Sequence, residues 1–227
     1  MIVAIDGPSA SGKSTIGRRL ARRLRLPLVD TGLMYRAVTV LAIDAGIAAD
    51  DDEALAALAE ATHLQVNDDP EAERGDWLVR ADGTDLSARI YDPAMNPELT
   101  RVSQAPGVRN RMVALQREYA GGDGVVMVGR DIGTVVFPDA DLKLFITASV
   151  TERERRRAKQ MRDDHTGLMK GEIADRDAAD SGRSIAPLRP AADAYTIDTD
   201  GRSPDSVFEE ALRLIEDRPQ DGGGQAR

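Results

Sequence analysis

Residues 7–15 read Gly7-Pro8-Ser9-Ala10-Ser11-Gly12-Lys13-Ser14-Thr15, which matches G-x-x-x-x-G-K-[ST]. An apolar run, Ile2-Val3-Ala4-Ile5, precedes it and an amphipathic stretch follows. That context is what a phosphate-binding loop requires. Glycine lets the backbone close around an anion with its N–H groups turned inward, and the next helix adds its positive end. Lys13 is then placed to reach β- and γ-phosphates, and Ser14 to ligate Mg²⁺. Two further groups follow apolar strands, so they fall at the same edge of a sheet. They are Asp30-Thr31-Gly32-Leu33-Met34-Tyr35-Arg36 and Gly129-Arg130-Asp131. Arg176, Asp180 and Arg183 fall at i, i+4 and i+7, so one helix face presents them together, with Arg183 just past the expected helix end. Any one of these arginines could simply pair with a neighbouring aspartate at the surface. As a set around a phosphate loop they point to phosphate oxygens, which a guanidinium holds through two parallel hydrogen bonds.

The elements that must carry these residues are legible in the hydrophobic pattern. Ile2–Ile5, Leu28-Val29, Val125–Val128, Leu142–Ile146 and Tyr195–Ile197 read as core strands alternating with helices. Strands alternating with helices predict a parallel α/β sheet whose carboxyl edge holds the site. Helices are expected near Lys13–Arg25, Met34–Ala45, Asp52–Thr62, around Val108–Tyr119, and at Thr151–Asp163, Met169–Asp180 and Ser206–Asp217. His63–Ile90 instead carries short alternating runs broken by turn residues, among them Arg74-Gly75-Asp76 and Asp82-Gly83. This predicts a small antiparallel insert.

Composition narrows the function. The 227 residues carry a net charge of −9, from 30 basic and 39 acidic side chains. An acidic chain is poorly suited to sequence-independent nucleic-acid binding or to a membrane surface. It has no cysteine, which excludes disulfides and thiolate metal sites. No signal-peptide pattern or membrane-spanning apolar run is present, so the cytoplasm is the expected compartment. A guanine-reading N-K-x-D, which a GTPase-like switch would carry, is absent. Another small-molecule P-loop kinase, acting on a different monophosphate or an alcohol, remains open on the residues alone.

Four stretches together resemble the bacterial-type cytidylate kinases. They are I-D-G-P-S-A-S-G-K-S-T (Ile5–Thr15), D-T-G-L-M-Y-R (Asp30–Arg36), G-R-D-I-G-T-V-V-F-P-D-A (Gly129–Ala140) and R-S-I-A-P-L (Arg183–Leu188), in the family's order. The resemblance implies a P-loop nucleoside-monophosphate-kinase fold in one kinase domain: a five-stranded parallel sheet flanked by helices, a small antiparallel β insert and a helical LID. The implied CORE is 1–33, 101–150 and 184–217, with an NMP-binding region at 34–100, its insert near 63–90, a LID at 151–183 and a disordered tail at 218–227. It implies γ-phosphoryl transfer from ATP, with Mg²⁺, to CMP or dCMP by a monomer with no nucleic-acid or membrane partner. By position, Gly7 to Thr15 would hold ATP phosphates and Arg156 would close over ATP. Thr31 would lie near the ribose, and Tyr35 and Arg36 would line the CMP site. Arg109 and Asp131 would contact cytosine, Arg130 and Arg183 the acceptor phosphate, and Arg176 and Asp180 the ribose and phosphates. Lys13, Arg130, Asp131 and Arg183 would be the catalytic set. Thr100, nine residues before Arg109, stands where the family commonly has a serine touching the base; Ser103 is the candidate in a shifted register. Val128 stands where the family often has an acidic residue, which leaves Asp6 and Asp131 as candidates for carboxylate work on magnesium waters.

Overall fold

The computed structural model describes residues 1–68, 77–163, 172–183 and 185–217. The expected turn at Arg74-Gly75-Asp76, the start of the helix expected from Met169, Ser184 and the tail 218–227 lie outside the described residues. Five strands form one parallel sheet: β1 (Ile2–Asp6), β2 (Leu28–Asp30), β6 (Val125–Val128), β7 (Leu142–Thr147) and β8 (Tyr195–Asp198), in the order β2-β6-β1-β7-β8. Its central strands are apolar without alternation because both faces are covered; Val3, Ala4, Ile5 and all of Val125–Val128 are buried. The chain leaves β1 toward β2 on one side, and leaves β6 toward β7 on the other. The carboxyl ends of these adjacent strands therefore open a crevice, the place where such sheets bind ligands.

Helix α1 (Lys13–Leu24) follows the loop after β1 and buries Ile16, Leu20 and Ala21 against the sheet. It stops at Leu24 because Arg25 takes a left-handed conformation as its cap. Helix α2 (Thr31–Asp44) begins three residues before the expected Met34. The Asp30 carboxylate accepts the N–H of Gly32, an N-cap that the apolar pattern could not show. This places Thr31, Tyr35 and Arg36 on a helix that starts at the sheet edge. Buried residues lie around most of α2, from Leu33 and Met34 to Val40 and Ala42.

The expected insert is the reason. Strands β3 (Leu64–Asp68), β4 (Trp77–Ala81) and β5 (Thr84–Asp85) form a separate antiparallel sheet that packs on α2 and β2. Leu64, Val66, Trp77, Val79 and Ala81 face inward while Gln65 and Arg80 face solvent. Asp82 and Gly83, with φ of 49° and 82°, make the two-residue turn between β4 and β5 that the Asp-Gly pair signals. The guanidinium of Arg18 on α1 lies 5.6 Å from the Trp77 ring centre, and the Tyr119 hydroxyl accepts the Val66 N–H at 2.9 Å. Two core helices thus hold the insert.

Helix α3 (Asp52–Ala61) packs on α5 (Pro106–Tyr119), and the short α4 (Asn96–Val102) precedes α5. A single wide helical turn at Ile132–Val136 follows β6, a feature with no periodic signal in the sequence. Helices α6 (Val150–Asp163) and α7 (Glu172–Ser181) rise from β7, and α8 (Pro204–Glu216) closes the chain against α1.

Candidate active site

The phosphate loop is held in a conformation that only glycine fits at its first position. Gly7 has φ of +145°, and a Cβ there would stand 2.0 Å from the carbonyl oxygen of Ile146 on β7. The Lys13 ammonium is buried and donates to the Pro8 carbonyl at 2.6 Å, so it lies folded within the loop. Burial and the neighbouring Arg130 hold its pKa well below the usual lysine range. An arriving phosphate would reverse that effect. Ser14 donates its hydroxyl proton to Asp30 at 2.7 Å. The hydroxyl of Ser11 is buried with no partner, while Thr15 is exposed.

The outer carbonyls of this loop are tied down by Arg156 and by two residues that sequence reading did not single out, Arg153 and Thr199. Buried Arg153 donates to Ser9 O and to Asp177 on α7. Arg156, expected over ATP, donates to Ser11 O at 3.3 Å and to both the hydroxyl and the carbonyl of Thr199, after β8. Thr199 also bonds Ser11 O. Helix α6 carries Arg153, Arg155, Arg156, Arg157 and Lys159, and which of them turn inward depends on where the β8 loop lies.

Across the crevice, Asp180 is the hub. Its carboxylate is fully buried and receives Arg130 Nε at 2.8 Å and Arg183 Nη2 at 2.5 Å, with Arg176 Nε at 3.9 Å. Three arginines from two parts of the chain thus share one carboxylate, which their charges hold below the usual carboxylate range despite its burial. Burial pushes the pKa of Arg176 down to about 10 and that of Arg183 down as well, and the neighbouring guanidinium groups add to both shifts. Arg183 Nε is buried without a partner. Arg36 donates to Ile90 O at 2.9 Å, and its field overlaps those of Arg130 and Arg176. The cluster is short of negative charge, and a desolvated dianion supplies what it lacks.

Beside it, Arg109 and Asp131 form a 2.5 Å ion pair with side chains 4% and 8% exposed. The Tyr35 ring lies 6.0 Å from the Arg109 guanidinium, and burial pushes its hydroxyl up to about 12. Thr31 spends its proton on Val128 O, bridging the ends of β2 and β6. Thr100 donates to Asn96 O within its own helix, whereas the Ser103 hydroxyl lies 3.3 Å from Arg183 Nη2. The hydroxyl that meets the arginine cluster is therefore that of Ser103. Both candidates for the carboxylate work expected around Val128 already carry protein partners. Asp6 accepts the N–H groups of Ile132 and Gly133, anchoring the wide turn after β6, and Asp131 is committed to Arg109. Desolvation raises the Asp6 carboxyl to about 6, more than those two N–H bonds lower it.

The arrangement can hold a polyphosphate on the β1 side and a second phosphate on the β6–α7 side, with Lys13 and Arg130 between them. Residues 3–217 match the family profile described as cytidylate kinase. The chain is 44% identical over 225 residues to a cytidylate kinase of Syntrophotalea carbinolica, covering 97% of this chain and 94% of that one. It is 43% identical over 220 residues to a cytidylate kinase of Geobacillus kaustophilus, covering 95% and 96%. It is also 44% identical over 217 residues to a bifunctional pantoate ligase/cytidylate kinase of a Synechococcus strain, matching 94% of this chain and spanning 40% of that longer protein.

Proposed function

The chain belongs to the cytidylate kinase family, and from that premise we propose that its crevice transfers the γ-phosphoryl group of ATP to CMP and dCMP. The observation that carries the residue assignments is the arginine cluster on Asp180, facing Lys13 across the ends of β1 and β6. Phosphoryl transfer asks little covalent chemistry of a protein; it asks for alignment and for charge to be offset as it spreads over the transferring group. Gly7 to Thr15 wrap the donor phosphates, and Lys13 moves from Pro8 O to the β- and γ-phosphates. Arg36, Arg130 and Arg183 take the acceptor phosphate. Arg130 stands between the two substrates and offsets their mutual repulsion. Arg176 and Asp180 meet the ribose and phosphate.

Cytosine is read at Asp131 and Arg109. The exocyclic amino group of cytosine donates to the carboxylate, and Arg109 holds that carboxylate in place and donates to the ring's acceptor side. Tyr35 and Thr31 border the nucleoside. Ser14 supplies an oxygen ligand suited to Mg²⁺, a hard cation that binds to few protein groups and to substrate phosphates. When bound, Mg²⁺ would screen the phosphate charges. Residues 34–100 form the acceptor region and 151–183 the lid, whose closure excludes water as a competing acceptor. Its residue Arg156 borders the donor loop. One chain supplies every residue named, and both nucleotides are cytoplasmic metabolites, so a cytoplasmic monomer completes the reading.

The test is ADP release with ATP·Mg²⁺ and each of CMP, dCMP, UMP, AMP and GMP. Turnover confined largely to the cytidine nucleotides is expected. A preference for AMP or GMP, or hydrolysis that no monophosphate accelerates, would overturn it.

A further inference from the structure

We propose that Asp30 is the positioning residue for the metal of the ATP complex, acting by orienting the Ser14 hydroxyl. This rests on the kinase reading above and adds a residue that the sequence motifs left without a role. Four observations converge on it. Ser14 donates its proton to Asp30 Oδ2 at 2.7 Å, which leaves the lone pairs of Oγ free for a cation and makes that oxygen a better donor of electron density. The other carboxylate oxygen, Oδ1, accepts the Gly32 N–H at 3.1 Å, so the carboxylate is fixed from behind by the first turn of α2. Asp30 ends β2 as the register partner of Val128 on β6, so its carboxylate stands at the carboxyl edge of the sheet beside the phosphate loop. Finally, Asp6 accepts the Ile132 and Gly133 N–H groups and Asp131 accepts from Arg109, whereas Asp30 is the carboxylate bonded to the Ser14 hydroxyl. Asp30 is also the carboxylate that acts most strongly on the Lys13 ammonium.

The proposal predicts opposite signs for two binding measurements. Near a polyphosphate, a carboxylate repels the bare nucleotide and helps only through the cation. A carboxylate whose duty was merely to cap α2 would affect both measurements alike.

The experiment uses Mn²⁺, a paramagnetic stand-in for Mg²⁺, titrated into the full-length chain saturated with ADP and read by electron paramagnetic resonance. ADP affinity in excess chelator is measured separately. Asp30→Asn should raise the Kd of Mn²⁺ by roughly tenfold or more, in line with losses at residues that orient metal ligands. Metal-free ADP should bind as tightly as in the wild type or more so. Asp30→Ser retains an oxygen that can cap α2 without the charge, and should show the same pattern even if Asp30→Asn folds poorly. In a Ser14→Ala background, Asp30→Asn should add less than a twofold loss.

Mn²⁺ affinity unchanged in folded variants, or ADP weakened in parallel with and without metal, would overturn the proposal. A further tenfold loss in the Ser14→Ala background would overturn the route through Ser14. Wild-type protein that binds no Mn²⁺·ADP would sink the kinase reading along with it, an outcome distinct from those seen only in the variants.

Discussion

Replacing Asp131 should change which base the enzyme accepts, and the structure sets the size of the effect. Arg109 and Asp131 are paired at 2.5 Å with almost no solvent access. Asp131→Ala leaves a buried guanidinium without its counter-ion, which costs about 3–5 kcal/mol of folding stability. That loss would obscure catalysis, so Asp131→Asn is the informative variant. The amide still accepts from Arg109 through its oxygen, and its NH₂ can donate to the C4 carbonyl of uracil. The carboxylate, by contrast, accepts from the C4 amino group of cytosine and faces uracil acceptor to acceptor. One such contact discriminates by roughly 1–3 kcal/mol, or about 5–150-fold. The ratio of kcat/KM for CMP to that for UMP should therefore fall by a factor in that range, mainly through loss on CMP. Urea unfolding of both proteins checks that the variant is folded under assay conditions. If Asp131→Asn lowers kcat/KM for CMP and UMP by the same factor, Asp131 does not read the base and the reasoning from its pairing with Arg109 is refuted.

Lys13→Ala should lower kcat by roughly 10²–10³, as expected on removing a preorganised charge from a dry site. Because burial and Arg130 disfavour the charged lysine in the free protein, urea unfolding should show stability unchanged or raised. Gly7→Ala places a methyl 2.0 Å from a backbone oxygen at φ of +145°. A loss of about 3 kcal/mol or more, together with ATP binding, should follow. Asp6 has its pKa raised from 3.8 to about 6 by burial, so the fold favours its protonated form. Its contribution to stability is fully present below pH 3.8 and is lost as pH rises through 6. Relative to Asp6→Asn, the wild type should lose about 3 kcal/mol between pH 3.8 and 7 in urea unfolding, at 1.36 kcal/mol per unit. A difference that does not vary with pH would contradict this.

The parallel sheet, the insert and the phosphate loop were legible because each has a local signature: unbroken apolar strands, alternating runs with an Asp-Gly turn, and glycines at fixed spacing. Arg176 and Asp180 were legible as one helix face; Arg183 lies two residues beyond the end of α7, and the structure gathers all three with Arg130. What the sequence hid is set by contacts between distant segments. The Asp30 cap moved the start of α2 back to Thr31, and the Ser14–Asp30 bond joins the first turn of α1 to the end of β2, sixteen residues apart. Arg153 and Thr199 reach the phosphate loop from α6 and the β8 loop, at separations of 144 and 188 residues. Thr100 and Ser103 are three residues apart and lie on nearly the same helix face, so the sequence could not show that it is the hydroxyl of Ser103, the cap of α4, that lies 3.3 Å from Arg183. That Asp6 anchors the turn at Ile132–Val136 was hidden because that wide turn has no periodic signal.

The arginines gathered on Asp180 are proposed to take up the phosphate of the acceptor nucleotide. Calorimetric titration of CMP and of cytidine into wild-type protein and Arg183→Ala measures this. Hydrogen bonds to a charged group contribute about 1.5–3 kcal/mol each. With at least two of the three guanidinium groups of Arg36, Arg130 and Arg183 bonded to the phosphate, the wild type should bind CMP more tightly than cytidine by roughly 3 kcal/mol or more. Arg183→Ala should cut that advantage by about one such contact while leaving cytidine affinity within twofold. Equal affinity for CMP and cytidine in the wild type, or an equal loss for both ligands in the variant, would contradict the claim.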